Sequence, residues 1–335
     1  FLLRNGFNAI QLPFNHKSVR DDQPIPTDGI SHELNGALFA EYDVPNAKQT
    51  GVAYVEMLKQ VVEAAQKQGM LVLLTAGRLT PTSWPGDGLW FNREIPEATL
   101  LETWTTLAKA LCGSWNLLGV DLHHEPHKAS WAQGLASHRW DEAAERLGNH
   151  ILSECPRWLV FVEGINHGAP EDGGASKGYW WGENLVGALT KPITLTDPTR
   201  LVYAPHVEGP SSYLQSYFRD RLFPKNLEDI WMDHFLRVKA KTGTPFVVGK
   251  LGAKLDADPR DLMWLREAVA YFPTQSVGVF YASLGATAEA DGLLKDDWTT
   301  PATQTLELLS KLPYTDVGEL RASSVPFPPP TVPPP

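Results

Sequence analysis

Short apolar runs alternate with amphipathic stretches along the chain. The candidate strands are Asn8–Pro13, Met70–Thr75, Leu117–Leu122, Trp158–Glu163, Leu201–Ala204, Pro245–Gly249 and Gly278–Tyr281. Several lack period-two alternation and read as continuously apolar, the pattern of strands buried on both faces. Between them, Val52–Gln68 carries apolar residues at three- and four-residue steps and stops at Gly69, a candidate C-terminal cap. Ala98–Cys112, Asp141–Glu154, Asn226–Lys241 and Arg260–Tyr271 read the same way. Strands alternating with helices imply parallel βαβ units. The spacing of these units predicts an α/β fold, a (β/α)8 TIM barrel whose first strand is missing from this chain. The rival, a doubly wound open sheet, would want a glycine-rich phosphate turn after an early strand, and Gly77-Arg78-Leu79-Thr80-Pro81 is not one.

Composition narrows the class. Of 335 residues, 43% are hydrophobic and 20% charged, which allows a sizeable core and excludes global disorder. The longest apolar runs, such as Met70–Leu74, fall far short of the ~18 residues of a membrane span. A net charge of -10 without a basic stripe argues against a nucleic-acid partner. Twelve Trp, nine Tyr and thirteen Phe exceed what a core of this size usually needs, and exposed aromatics bind flat ligands. Only two cysteines are present, Cys112 and Cys155, which excludes a disulfide-rich scaffold and leaves one disulfide or two buried thiols. From residue 323 the chain is dense in proline and favours extended polyproline II. The expected division is a barrel over 1–322 and a Pro-rich tail or linker over 323–335.

In a barrel, functional side chains come from the C-terminal ends of the strands. Those ends carry Gly6-Phe7-Asn8-Ala9-Ile10-Gln11-Leu12-Pro13-Phe14, the stretch from Asp121 to Trp131, Phe161-Val162-Glu163-Gly164, Tyr179 to Leu185, Leu201 to His206, and Gly292 to Trp298. In this order the segments resemble glycoside hydrolase family 5, the cellulase-like retaining hydrolases. The resemblance covers nearly the whole barrel. It implies an extracellular protein that needs no cofactor and meets β-glucan or another cell-wall polysaccharide. It also implies two glutamates, one nucleophile and one acid/base, about 5 Å apart.

The acid/base corresponds to Glu125. The nucleophile motif, an apolar run ending Gly-Glu-Phe-Gly, is here Val248-Gly249-Lys250-Leu251-Gly252, so Lys250 stands at the nucleophile position. An ammonium cannot form the glycosyl ester and repels an oxocarbenium-like transition state. Further departures surround it: His124 replaces the Asn before the acid/base, Gln11 an Arg, Gly77 a His, Glu208 a Tyr and Ala282 a Trp. The expectation is a catalytically inactive barrel, a pseudoenzyme that binds glycan or serves a structural or assembly role, with a protein partner or self-assembly open to it. The alternative is an active endo-β-glucanase with a rearranged nucleophile. Lys250 and Glu125 are expected to pair in one barrel mouth.

Trp84, Trp90, Trp131, Trp180, Trp181, Tyr213 and Tyr281 lie in or beside loops. Of these, Trp131, Trp180, Trp181, Tyr213 and Tyr281, with His124 and His206, are the candidate substrate-binding residues, because apolar sugar faces stack on aromatic rings. His123, His124 and His127 could ligate metal, but neighbours on a strand face opposite ways, so no metal site is expected. Lys250 as a Schiff-base lysine would need a depressed pKa, which a neighbouring Glu125 opposes. Cys112 and Cys155 each end a helix on the bottom rim of the expected barrel and are predicted to bond. A barrel open between Asn8–Pro13 and Gly278–Tyr281 would leave strand edges unpaired, so strand one is expected from an upstream segment, a separate chain or a neighbouring subunit.

Overall fold

A computed structural model describes residues 1–25, 52–82, 88–169, 177–287 and 290–318. The predicted tail, 323–335, and Trp84 lie outside the described residues. Strands β1 (Ala9–Asn15), β2 (Leu71–Arg78), β3 (Leu117–Asp121), β4 (Leu159–Val162) and β5 (Leu201–Tyr203) form one parallel sheet in that order. Strands β6 (His206–Glu208), β7 (Val247–Gly252) and β8 (Gly278–Tyr281) form a second. A parallel bridge between Tyr203 and Phe246 joins the two sheets. β5 and β6 are two pieces of one stave. Ala204 still donates to Val162 O at 2.9 Å, but Pro205 has no N–H to continue the ladder.

The helices pack outside. α1 (His16–Asp21) is short and was not evident in the periodicity. α2 (Tyr54–Lys67) buries Val55, Leu58, Val62 and Ala65, and Gly69 follows its cap at a left-handed φ of 73°. α3 (Glu97–Leu111) and α4 (Trp140–Glu154) match the expected spans to within a residue or so. The helix expected over Asn226–Lys241 is interrupted. α5 (Leu227–Trp231) passes through a π turn, Met232–Leu236, into α6 (Arg237–Thr242). α7 (Pro259–Thr274) and α8 (Thr303–Leu309) complete the set.

Two layers of core result. Leu73, Phe161, Val202 and Ala204 fill the barrel interior. Val72, Leu74, Val120 and Val160 belong to the larger outer cluster, which also holds Trp104, Trp158 and Trp264. All seven are almost fully buried, and each side chain of this kind contributes roughly 1.5–3 kcal/mol when taken from water. Cys112 and Cys155, at the ends of α3 and α4, are bonded, with Cα atoms 5.8 Å apart.

Among the described residues the barrel wall is not continuous. Among the described residues β1 pairs only with β2, and β8 only with β7. These two strands are also the least buried of the staves, and a cavity of about 1380 Å³ lies between them. Leu309, Leu312 and Val279 line its lower part, and Lys250, His206 and His124 its upper end. Among the described residues, the seven staves leave this seam unpaired. Backbone amides of β1 and β8 that face the seam are expected to exchange with solvent on the order of 100-fold faster than those of β3. Equal protection on all three strands would show the seam to be covered.

Candidate active site

Four strand ends bring the predicted residues together. Glu125 follows β3, Glu163 follows β4, and His206 and Lys250 lie in β6 and β7 in register with each other. Lys250 Nζ stands 3.1 Å from Glu125 Oε1, the pair expected from sequence. The same ammonium lies 2.5 Å from Glu208 Oε1. All three side chains are buried to about nine-tenths.

His206 sits between two further carboxylate contacts. Its Nδ1 meets Glu125 Oε1 at 3.0 Å, and its Nε2 lies 3.1 Å from Glu163 Oε1, an ion-pair contact without hydrogen-bond alignment. Burial alone would lower the imidazole, but the charge of Glu163 and the contacts to Glu125 and Glu163 outweigh it and lift His206 to about 10. Burial would raise Glu163, but the charge of His206 and the close contacts of His124 and His206 hold it at about 2. Burial likewise opposes ionisation of Glu125. The neighbouring His124 and Lys250 and the bond to His206 overcome this and hold it well below the usual carboxylate range. Beneath them, burial and the charge of Glu163 push Asp121 well above its usual range.

Glu125 itself is unusual in its backbone. Its φ is 51°, left-handed for a non-glycine residue. Such a conformation costs roughly 1–3 kcal/mol and persists where surroundings fix it. Its N–H donates to Glu163 Oε2 at 2.7 Å, and its carbonyl accepts from His127 N at 2.7 Å.

The two histidines, just beyond the end of β3, point to different surroundings. His124 faces the site, 5.1 Å ring to ring from His206, while His123 is buried beside Trp140. Ligand atoms of His124, Glu125 and His206, and of Asp121, Glu163 and His206, lie within 4.8 Å of one another.

The predicted aromatics do not all reach a groove. Trp131 is fully buried, donates Nε1–H to Lys191 O at 2.8 Å, and presses so closely on Gly187 that an added methyl there would overlap its ring. Its assignment to substrate binding is therefore corrected: its loop turns it into the wall. Trp90 is likewise buried and donates to Glu97. Trp180 is half-buried near Phe218, and Tyr281 is half-buried on the cavity wall with its hydroxyl donating to Asp291 O. Trp181 and Tyr213 are exposed, and Trp181 stacks on His127 at 3.8 Å and 13°. Gln11 donates to Thr75 Oγ1 at 2.8 Å. The sequence reading took Glu208 only as a lost tyrosine. Its place two residues after His206, hence on the same face of the stave, was the available signal for its contact with Lys250.

A family model for cellulase (glycosyl hydrolase family 5) matches residues 2–287. The chain belongs to glycosyl hydrolase family 5. An endoglucanase of Paenibacillus polymyxa is 33% identical over 300 residues, covering 89% of this chain and 71% of that protein. The major extracellular endoglucanase of Xanthomonas campestris pv. campestris is 32% identical over 312 residues, covering 92% of this chain but only 60% of that one. Among solved structures, an endocellulase of Pyrococcus horikoshii superposes with a TM-score of 0.81 at 33% identity, covering 92% of this chain and 84% of that chain. The catalytic domain of the Xanthomonas enzyme gives 0.79 at 31% identity, over 92% of this chain and 85% of that one. These likenesses give the chain an endoglucanase-like (β/α)8 barrel, and the family acts on polysaccharide.

Proposed function

We propose that this chain is an extracellular family 5 barrel that binds β-glucan or a related cell-wall polysaccharide without hydrolysing it. The observation that carries the reading is the ammonium of Lys250 at the family's nucleophile position, held against Glu125. Retaining hydrolysis needs a carboxylate there to attack the anomeric carbon. It also needs an acid/base that can hold a proton for the leaving oxygen. Glu125, bound by Lys250 and His206, stays ionised and offers no such proton. What remains is an acceptor-rich pocket with Trp181 exposed nearby. The disulfide and the extracellular Xanthomonas relative support a setting outside the cell.

A second reading, hydrolysis, is favoured by the relatives named endoglucanases and by Glu208, a second carboxylate beside Glu125 on the same ammonium. Reducing-sugar release from β-glucan, run alongside a pull-down on insoluble cellulose, separates them. Binding without release is expected. Release that disappears in Glu125→Ala would overturn the first reading. Neither binding nor release would point to an architectural role.

A further inference from the structure

Several parts of the site converge on Glu163, a fully buried side chain to which the resemblance gives no catalytic part. Its Oε2 accepts the Glu125 N–H at 2.7 Å, and its Oε1 lies 3.1 Å from His206 Nε2 and 3.6 Å from His124 Nδ1. A methyl added at Gly182 would come within 2.7 Å of Oε2, so the turn after Trp181 packs directly on this carboxylate. We propose that Glu163 is the positioning residue of the site: it fixes the left-handed backbone of Glu125 and keeps His206 a cation, so that Glu125 is presented as a permanent carboxylate, an acceptor for ligand hydroxyls.

Both halves follow from geometry. A left-handed glutamate needs a partner for its redirected N–H, and Glu163 Oε2 is that partner. His206 is faced by Glu125 and Glu163, by His124, by Asp121 from the end of β3, and by Lys250 in register on β7 with Glu208 at its far side. Asp121 is pushed by burial well above the usual carboxylate range, and Glu125 is shared with Lys250. Glu163 is therefore the anion on which the charge of His206 depends most. Without it, a neutral imidazole could pass Glu125 a weaker hydrogen bond or none, according to pH.

The test is the titration of the His206 ring by NMR in the wild type, in Glu163→Gln and in Glu163→Asp, with cellotetraose affinity measured over the same pH series. His206 of the wild type is expected to stay protonated to about pH 9. In Glu163→Gln its midpoint should fall into the range of about 6–8, and cellotetraose affinity, flat across that interval in the wild type, should drop about tenfold. Glu163→Asp, which keeps the charge, should hold the midpoint near the wild-type value. A wild-type His206 that titrates near its ordinary value overturns the proposal, as does an unchanged midpoint in Glu163→Gln. If cellotetraose does not bind, the glycan reading fails, while the ring titration still decides the role of Glu163.

Discussion

Lys250→Glu is expected to weaken the fold and to release no sugar. The substitution restores the family's residue at that position, yet it removes the cation between Glu125 and Glu208 and adds a carboxylate to a buried mouth that already holds Glu125, Glu163 and Glu208. Removing one partner of a buried ion pair costs about 3–5 kcal/mol. At about 2–3 °C per kcal/mol for a chain of this size, the melting temperature should fall by roughly 6–15 °C. Adding Glu208→Tyr should recover part of that loss, because it removes one of the repelling charges. A double-mutant cycle should therefore give a favourable coupling of about 0.5–3 kcal/mol between the two positions. A Lys250→Glu protein as stable as wild type, or one that hydrolyses β-glucan, would mean that position 250 changed alone on an otherwise working site.

Loss of the disulfide is the second large effect. Cys112 and Cys155 close a loop of 43 residues. Loop-closure entropy in the unfolded chain assigns such a bond about 4 kcal/mol. Replacing both cysteines with serine should lower the melting temperature by roughly 8–12 °C. The native rim has a second clamp that sharpens the test. The Arg157 guanidinium donates to Cys112 O at 2.6 Å, to Leu117 O at 3.1 Å and to Ser114 O. This clamp holds the loops together in the folded state whether or not the bond exists. If the bond acts through the unfolded chain, its loss is felt in full even with Arg157 intact. A shift below about 2 °C would show instead that the arginine clamp already supplies what the bond provides.

Much of the fold was legible because barrel strands are short, apolar on both faces and separated by amphipathic helices. Pattern alone located the seven described staves, although strand ends moved by up to three residues: β7 runs on to Gly252, past the expected end at Gly249. The split of β5 from β6 was not legible, since it depends on Pro205 falling where a ladder bond would be made. The Lys250–Glu125 pair was legible from strand-end chemistry. Glu208 was not, because a residue scored against a family pattern is seen as a loss and not as a partner. Trp131 misled because loop position says nothing about which way a side chain turns; only the packing on Gly187 decides that. The link from Glu163 to Glu125 is carried by a backbone N–H aimed by a left-handed φ, which no side-chain pattern encodes.

The grouping of Gln11, Glu208 and Lys250 has an electrostatic consequence. Relative to the family pattern, the cation lost at 11 and the anion gained at 208 offset the reversal from anion to cation at 250. The site keeps its total charge and rearranges where that charge lies. At a distance the potential follows the total, so an approaching polymer meets much the same field as it would at an ordinary member of the family. At the glycosidic bond the field follows the arrangement, and there an ammonium stands where the family has its anionic nucleophile. Attraction and bond cleavage depend on different moments of one charge distribution, and a rearrangement of this kind can remove the second while leaving the first in place.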